Sequence, residues 1–337
     1  MYITSEIREE LSKTWQLLLS AKSIVLTSHI DPDGDAIGSC VGLYHLLKAS
    51  GKEVCIIMHS PVPANLRFLI NTTEFYQASD KASKDKVSSA DWFCILDLNH
   101  ASRLGQSVQD VLTHFTGHTV LIDHHLEPSI IADRLHSIVK ACSTCEIVSE
   151  MAKSSDIIPS VESATALYTG IMTDTGGFRH PRTTSDIMRL AAWLIDCGAN
   201  PVMIYDKVMN AETPHSIRLL GMALSSLQIH LEGNLVLIVL TKQQLENYLP
   251  EETEGFVNYT LSLAGVKIGA LITEWPDKVK ISLRSKPEYD VRSIAQKYGG
   301  GGHQQAAGAR ISHGDIHQIV QKIINDCEAY LHSIISH

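Results

Sequence analysis

The chain has 337 residues, a formal net charge of −9 and 44% hydrophobic residues. This length suffices for two domains with sizeable hydrophobic cores. The negative charge argues against a general binder of duplex DNA, which requires a basic surface to neutralise phosphates.

The N-terminal segment and the cysteines indicate a cytoplasmic protein. The first residues are polar and acidic, unlike a signal peptide, and no apolar run approaches the about 18 residues of a membrane span. The seven cysteines are scattered and odd in number, as is typical of reduced thiols that pack in a core. Cys142-Ser-Thr-Cys145 is a single C-x-x-C motif, which we interpret as an ordinary helix start rather than a redox or zinc site.

Short apolar runs alternate with helical patterns in the first half of the chain. The predicted strands are 23–28, 54–58, 92–98, 119–123 and 137–140, and the clearest helix pattern is 36–49, which Gly51 ends. Strands that are apolar throughout are typical of a parallel sheet that helices cover on both faces. The alternation predicts a doubly wound α/β domain, to which we assign residues 1–200.

The pattern changes in the second half. Residues 184–225 have helical patterns, and we assign 201–226 to a helical linker. The later elements are strands at 234–241, 266–275 and 278–285, a turn at Pro276-Asp277 and a final helix at roughly 315–335. We predict a smaller α+β domain with a mixed sheet over residues 227–337.

Acidic residues and histidines follow several of these segments. They are His29, Asp33 and Asp35 after the first strand, Asp97 at the end of the third, Asp123-His124-His125 at the end of the fourth, and Asp174 after a later helical stretch. Because open α/β sheets bind ligands at the carboxyl ends of their strands, we expect these side chains to meet. Carboxylates in a dry crevice repel one another unless cations neutralise them. The sequence therefore predicts a metal centre.

The donor types indicate which metal to expect. Carboxylates with imidazoles favour Mn²⁺ or a similar first-row ion over calcium or thiolate-bound zinc. Co²⁺, Fe²⁺ and Mg²⁺ are the alternatives. Two ions that share a carboxylate activate a water molecule for in-line attack on phosphorus, so that no serine or cysteine nucleophile is required.

Each of these residues also has an ordinary structural interpretation. Segment 31–35 alone could be a turn followed by a helix N-cap. A single aspartate at a strand end, such as Asp97, is more often a cap, and either histidine of 124–125 could be structural. Asp174 lies near glycines and could belong to a turn. Their coincidence at one sheet edge favours the metal centre, with Asp31 as an extra acidic residue that is not a ligand.

A glycine-rich segment, 298–309, lies in the predicted second domain. Consecutive glycines let backbone N–H groups approach an anion closely. The candidate substrate-binding residues are Gly300, Gly301, Gly302 and His303, with Arg284 and Ser285 at the end of a strand. A flexible linker is the alternative, but linkers seldom lead into H-x-x-A-A-G, whose small residues suggest tight packing. We predict a phosphate-binding loop.

Five motifs in chain order resemble the DHH phosphoesterase family with its DHH-associated C-terminal domain. They are S-H-I-D-P-D-G-D-A-I-G-S, I-L-D-L-N, I-D-H-H, G-I-M-T-D-T-G-G-F and G-G-G-H-Q-Q-A-A-G-A. The resemblance covers about residues 15–335. The length, without sensor or membrane domains, is similar to that of the bacterial nanoRNase type. That type degrades very short oligoribonucleotides and often dephosphorylates 3′-phosphoadenosine 5′-phosphate (pAp).

The resemblance implies a role for each motif residue. One Mn²⁺ would be held by His29, Asp33 and Asp97, and the other by Asp35, Asp97, His124 and Asp174, so that Asp97 bridges. Asp123 would orient a neighbouring histidine, and His125 would face the scissile phosphate.

The resemblance also implies which residues bind the end of the substrate. Arg284 and the loop Gly300–His303 would bind its terminal phosphate or base across a cleft between the domains. Gly177 stands where some relatives carry arginine. The contacts to the nucleotide on that side therefore stay open, and Arg179 could replace that arginine.

We expect a Mn²⁺-dependent phosphohydrolase that releases 5′-mononucleotides from short RNA and hydrolyses pAp. Its partners would be short RNA oligonucleotides and small nucleotides, with no membrane and no duplex DNA, and a homodimer rests on family analogy alone. Hydrolysis of cyclic di-AMP or its linear product pApA is the first alternative, because the catalytic motifs do not distinguish this reaction from the hydrolysis of short RNA and pAp. A non-catalytic nucleotide- or RNA-binding protein is a distant one, because every expected ligand position is filled.

Overall fold

A parallel sheet of six strands organises the first half of the chain. The computed structural model describes residues 3–126, 128–129, 132–211, 213–312 and 314–335. The strands are β1 Ser23–Thr27, β2 Glu53–Met58, β3 Phe75–Gln77, β4 Trp92–Leu96, β5 His118–Asp123 and β6 Arg134–Ser137, in the spatial order β3-β2-β1-β4-β5-β6. The chain order reverses between β1 and β4, and open α/β sheets bind ligands beyond the carboxyl ends of strands at such a point.

Helices cover both faces of this sheet. They are α1 Ser5–Ser20, α2 Gly34–Ala49, α3 Lys81–Ser88, α4 Gln106–Thr113, α5 Thr144–Ser154, α6 Val161–Asp174, α7 Ser185–Asp196 and α8 Pro201–Met209. Ile24 and Leu26 of β1 belong to the core beneath α1, α2, α5 and α6, whereas Val25 belongs to the core beneath α3 and α4. Both sides of each strand are thus buried, which explains the apolar runs, and the predicted doubly wound α/β fold is confirmed.

Close packing of α2 against α6 depends on glycine. An ideal Cβ at Gly38 would lie 2.5 Å from the carbonyl oxygen of Ala166, and one at Gly170 would lie 2.9 Å from Asp35 Oδ1. Asp35 lies in the first turn of α2, and Asp174 is the last residue of α6. The glycines therefore let two helices approach closely enough to bring these carboxylates together.

The second half contains a mixed sheet. Its strands are β7 Leu227–His230, β8 Leu235–Leu240, β9 Ile268–Glu274, β10 Lys278–Ser285, β11 Gly301–His303 and β12 Ala306–Ser312, in the order β11-β12-β10-β9-β8-β7. Only β8 and β9 pair in parallel. The helices are α9 Pro214–Ser225, α10 Arg292–Gln296 and α11 Ile316–Ile335. The smaller α+β fold with a mixed sheet is confirmed.

Two predicted elements differ from the structure. The fifth strand lies at Arg134–Ser137 rather than 137–140, because β6 is a half-exposed edge strand that carries polar residues. The glycine segment 298–309 is not an open loop, since most of it forms the β11–β12 hairpin. The apolar pattern misplaces the fifth strand because an edge strand need not be fully apolar, and a run of glycines gives no signal for the strands that contain it.

The chain divides into two compact units, Met1–Ala211 and Glu212–His337. The segment 201–226, assigned to a linker, is shared between them, because α8 belongs to the first unit and α9 to the second. Within the described residues, no single helix has the length and hydropathy of a membrane span. Helices α7 and α8 have the required length and hydropathy only when they are taken together, and the chain bends by 106° between them.

We predict that Gly38→Ala destabilises the first unit. The added methyl group would meet the backbone of α6, which cannot rotate away, and overpacking of this kind costs about 1–3 kcal/mol. Gly221→Ala in α9 is the matched control, since no atom lies within 4 Å of its added Cβ. Helix propensity should make that change stabilising by up to about 1 kcal/mol. Urea denaturation followed by circular dichroism measures both, and equal effects would contradict the packing argument.

Candidate metal centre and active site

The candidate site lies at the carboxyl ends of three neighbouring strands. Beyond β1 are His29 and Asp33, beyond β4 is Asp97, and at the end of β5 are Asp123, His124 and His125. The first turn of α2 adds Asp35 and the end of α6 adds Asp174. The topology therefore brings every predicted ligand to one edge of the sheet.

The ligand atoms fall into overlapping groups. Those of His29, Asp33 and Asp97 lie within 4.8 Å of one another, as do those of Asp35, His124 and Asp174. A third group of the same closeness joins Asp97, His124 and His125. The first two groups correspond to the two ligand sets expected from the family resemblance, apart from the shared Asp97 in the second.

His29 is oriented so that one ring nitrogen is free. Its Nδ1 lies 2.7 Å from the carbonyl oxygen of Ile30, and because a carbonyl only accepts, Nδ1 carries the hydrogen. Its Nε2 is buried without a hydrogen-bond partner, 3.5 Å from Asp97 Oδ2 and 3.9 Å from Asp33 Oδ1. A buried nitrogen that faces carboxylates at these distances suits a metal ligand.

His124 has the same arrangement. Its Nδ1 lies 3.3 Å from the carbonyl oxygen of Ala141. Its Nε2 lies 3.5 Å from Asp97 Oδ1 and 3.3 Å from Asp174 Oδ2. The two oxygens of Asp97 thus face different imidazoles, a geometry that allows this carboxylate to serve two ions.

Asp97 adopts an unusual backbone conformation. It is only 2% exposed, and its φ of +61° lies in the left-handed region that non-glycine residues seldom adopt. Its backbone N–H donates to the carbonyl oxygen of Ile122 at 3.0 Å, and Thr144 Oγ1 donates to its Oδ1 at 3.1 Å. Such backbone strain persists where surrounding contacts enforce it and is common at functional sites.

The start of α5 stabilises a second carboxylate. Asp35 accepts hydrogen bonds from the backbone N–H groups of Thr144 at 2.6 Å and Cys145 at 2.9 Å. An ionised carboxylate is favoured at a helix N-terminus. The C-x-x-C motif is therefore a helix start, as predicted, and burial raises the pKa of Cys142 and of Cys145, which leaves both thiols protonated.

The cluster requires additional positive charge. Burial opposes protonation of His124, but the hydrogen bond to Asp97 and the nearby carboxylates raise its pKa to about 10. Burial raises the pKa of Asp174 to about 7 and raises that of Asp35 as well. Burial alone would also raise the pKa of Asp97, but the neighbouring imidazoles of His124 and His29 hold it below the usual value. Divalent cations would provide the charge that protons otherwise supply, and the donor set of oxygens and imidazole nitrogens fits them.

Asp123 contacts the second histidine of the tripeptide rather than the first. Its Oδ1 lies 2.7 Å from His125 Nδ1, while its other oxygen is buried without a partner. Because a carboxylate accepts, the hydrogen of His125 lies on Nδ1. His125 Nε2 lies 3.4 Å from Arg103 Nη1, so the ring is held between an acid and a guanidinium.

Three residues at the site were not predicted. Thr144 contacts both Asp35 and Asp97, and the N-cap pattern beside it could have placed it at the sheet edge. Arg103 reaches His125, and Arg182 Nη1 lies 3.2 Å from His124 Nδ1. No sequence pattern marks these two arginines, because each joins the site through tertiary contacts.

The candidate substrate-binding residues of the second unit lie on one sheet, but not on one face. Arg284 and His303 both pair with Ala306, on either side of β12, and therefore share a face. Ser285 lies on the opposite face, where it is buried and donates to the carbonyl oxygen of Tyr289 at 2.7 Å. Its hydroxyl is committed to the fold.

The glycines of this hairpin have packing roles. A Cβ at Gly300 would clash with the carbonyl oxygen of Gly308, and Gly302 has a φ of +138° that favours glycine. Gly301 has no atom within 4 Å of an added Cβ and is exposed. The run of glycines is thus explained in part by the turn and by close backbone approach.

Two family models match the chain. The model of the DHH family N-terminal domain matches residues 23–171, and that of the DHHA1 domain matches residues 237–329. The first covers the six-stranded sheet and all the candidate ligands except Asp174, and the second covers β9 to β12 and most of α11.

Relatives with similar length support this match. The bifunctional oligoribonuclease and PAP phosphatase NrnA of Thermus thermophilus is 33% identical, over 89% of this chain and 88% of the relative. The protein of that name from Mycoplasma genitalium is 29% identical, over 90% of this chain and 92% of the relative. The cyclic-di-AMP phosphodiesterase PdeA of Listeria monocytogenes is 23% identical over 94% of this chain, which spans 49% of PdeA.

A solved structure has the same fold over nearly the whole chain. It is an exopolyphosphatase-related protein from Bacteroides fragilis, 30% identical, with a TM-score of 0.88 over 94% of this chain and 96% of that protein. The fold, the two family models and the relatives agree, and the chain is a member of the DHH family of phosphoesterases, with a DHHA1 domain after its DHH domain.

Proposed function

We propose that the protein is a Mn²⁺-dependent phosphoesterase that degrades short oligoribonucleotides to 5′-mononucleotides and dephosphorylates pAp. The observation that carries the proposal is the pair of ligand groups around Asp97, whose two oxygens face His29 and His124. The NrnA relatives, which align over most of their length, support the choice of substrates.

Each residue of the centre has a defined task in this proposal. One ion would be held by His29, Asp33 and Asp97, and the other by Asp35, Asp97, His124 and Asp174. When bound, the ions supply a Lewis acid for the phosphate and an activated water. The carbonyls of Ile30 and Ala141 hold the two ligating imidazoles with Nε2 turned towards the carboxylates. These supporting bonds fix the tautomers before substrate arrives.

His125 is positioned to contact the substrate rather than to orient a metal ligand. Asp123 holds the hydrogen of His125 on Nδ1, so Nε2 is the nitrogen that can approach a phosphate or leaving oxygen. His125 is more exposed than His124, which fits contact with a ligand. Arg103 beside Nε2 contributes positive charge at the same place.

We also propose that the face of the second sheet that carries Arg284 and His303 recognises the nucleotide at the substrate's end. Arg284 is half-buried, and burial lowers its pKa. A guanidinium matches the geometry of a phosphate, and exposed Gly301 leaves its backbone accessible on the same face. Ser285 is not included, because its hydroxyl already binds Tyr289.

Cyclic di-AMP or pApA is the second candidate substrate. The likeness to PdeA over 94% of this chain supports it. The metal centre cannot separate the two reactions, since both break a phosphoester bond beside an adenosine.

We predict that Asp97→Asn lowers kcat/KM on a dinucleotide by more than about 100-fold, the largest loss typical of residues that only support a ligand. Asp31→Asn is the matched control. Asp31 also has a positive φ, +51°, which asparagine tolerates, but it belongs to none of the ligand groups. Steady-state kinetics with Mn²⁺ measures both variants. Full activity of the Asp97 variant would refute the role of this carboxylate in metal-assisted hydrolysis.

Metal removal should abolish activity, and Mn²⁺ should restore it. Because the folded site binds the ions and the unfolded chain does not, Mn²⁺ at about 100 times its dissociation constant should add about 2.7 kcal/mol to the stability of the wild type for each ion bound. The Asp97→Asn protein should gain much less. Thermal unfolding after chelation, with and without added Mn²⁺, measures this difference, and equal gains would count against the assigned ligands.

Comparison of four substrates decides between the two functions. We expect turnover of a dinucleotide and of pAp at least about tenfold faster than that of cyclic di-AMP, with pApA cleaved as a dinucleotide. The measurement is the rate of loss of each substrate at equal concentration, because the opening of cyclic di-AMP gives pApA and releases no mononucleotide. Faster cleavage of cyclic di-AMP than of the unmodified dinucleotide would favour the second candidate.

A further inference from the structure

Arg182 lies in the loop that leads away from a metal ligand. The loop joins α6, which ends at Asp174, to α7. Backbone hydrogen bonds within the loop hold it in place. The N–H of His180 donates to the carbonyl of Thr175, and the N–H of Thr183 donates to the carbonyl of His180, both at 2.9 Å. The position of Arg182 is thus fixed on both sides, although the residue itself is exposed.

The Arg182 side chain returns to the metal centre. Its Nη1 lies 3.3 Å from the carbonyl oxygen of Ala141 and 3.2 Å from His124 Nδ1. In the metal-binding tautomer His124 Nδ1 carries a hydrogen, so it cannot accept from the arginine. The carbonyl of Ala141 is therefore the acceptor, and it receives hydrogens from both side chains.

The guanidinium has unused hydrogen-bonding capacity. Arginine offers five N–H donors in a planar fork, and the bond to Ala141 uses one of them. In the described part of the chain, its remaining donors have no hydrogen-bond or ion-pair partner. A fixed, exposed guanidinium with free donors beside a phosphoesterase centre is suited to binding a phosphate oxygen.

The charge of the site supports such a role. Asp33, Asp35, Asp97, Asp123 and Asp174 carry five negative charges when ionised, and two divalent ions supply only four positive ones. A phosphate would then approach a centre with a net negative charge. Arg103 beside His125 would offset that charge, and Arg182 next to His124 would make the centre net positive towards an approaching phosphate.

Arg179, the arginine that the sequence suggested, does not lie beside His124. Its Nε donates to the carbonyl oxygen of Gly176 at 2.7 Å, within its own loop. Gly177 has a φ of +71° and open space around its Cα, so no side chain reaches the centre from there. Of these two arginines, Arg182 is the one whose side chain contacts the ring of a proposed ligand, His124.

We propose that Arg182 binds a non-bridging oxygen of the substrate phosphate at the metal centre. This inference rests on the proposed function, because it assumes a phosphate held beside His124. Arg182 would be a substrate-binding residue and not a support for the ligand.

The test compares Arg182→Gln and Arg182→Lys with Arg189→Gln. Arg189 is an exposed arginine of α7 that pairs with Asp186, and it serves as the control. Isothermal titration calorimetry measures Mn²⁺ affinity and then AMP affinity of the Mn²⁺-loaded protein. Kinetics on pAp give KM.

We expect Arg182→Gln to weaken AMP binding and to raise KM by at least about tenfold, the ratio that 1.4 kcal/mol represents. Mn²⁺ affinity should stay within about twofold of the wild type. Lysine should restore part of the loss, because it keeps the charge but not the fork. Arg189→Gln should match the wild type in every measurement.

Two results would overturn the inference. Unchanged AMP affinity in Arg182→Gln would show that no phosphate contact exists. A parallel loss of Mn²⁺ affinity would show that Arg182 acts by holding His124. A wild type that binds AMP with Mn²⁺ but hydrolyses none of the four substrates would instead refute the proposed function and leave the Arg182 comparison valid.

Discussion

The repulsion among carboxylates buried at one sheet edge is the constraint on which the site depends. Asp35 and Asp97 are almost fully buried, and Asp174 lies beside them in the same cluster. The raised pKa values of the neighbouring imidazoles and of Asp174 indicate that the cluster favours added positive charge. Cation binding resolves this repulsion, and the fold holds the donors in place for it.

The surrounding structure maintains this unfavourable arrangement through backbone groups. The N-terminus of α5 donates to Asp35, and the carbonyls of Ile30 and Ala141 orient the two imidazoles. Glycines between α2 and α6 bring the helix ends together. These contacts come from the main chain and so do not depend on which side chains Ile30 and Ala141 carry, whereas Asp97 and His125 are also held by the side chains of Thr144 and Asp123.

The second sheet illustrates how a motif can have two explanations at once. The glycines of 298–309 first suggest an anion-binding loop, and most of them are also required by a tight hairpin. Arg284 and His303 share one face of that sheet, whereas Ser285 is turned into the core. Strand register, which alternates side chains between faces, decides which candidates are available to a ligand.

The sequence by itself determined the layered α/β fold, the mixed second sheet and the residue types of the candidate metal centre. Apolar runs followed by Asp and His are local signals, since each reports only its own strand and the loop after it. The edge strands β3, β6 and β7 were missed or misplaced because they are half-exposed and lack a fully apolar pattern. Only the tertiary structure decided that Asp97 has a left-handed backbone between two imidazoles, that Asp123 holds His125, and that Arg103 and Arg182 reach the site. Apart from the local Asp123–His125 pair, those contacts join segments distant in the chain, and no local pattern records which distant side chains the fold brings together.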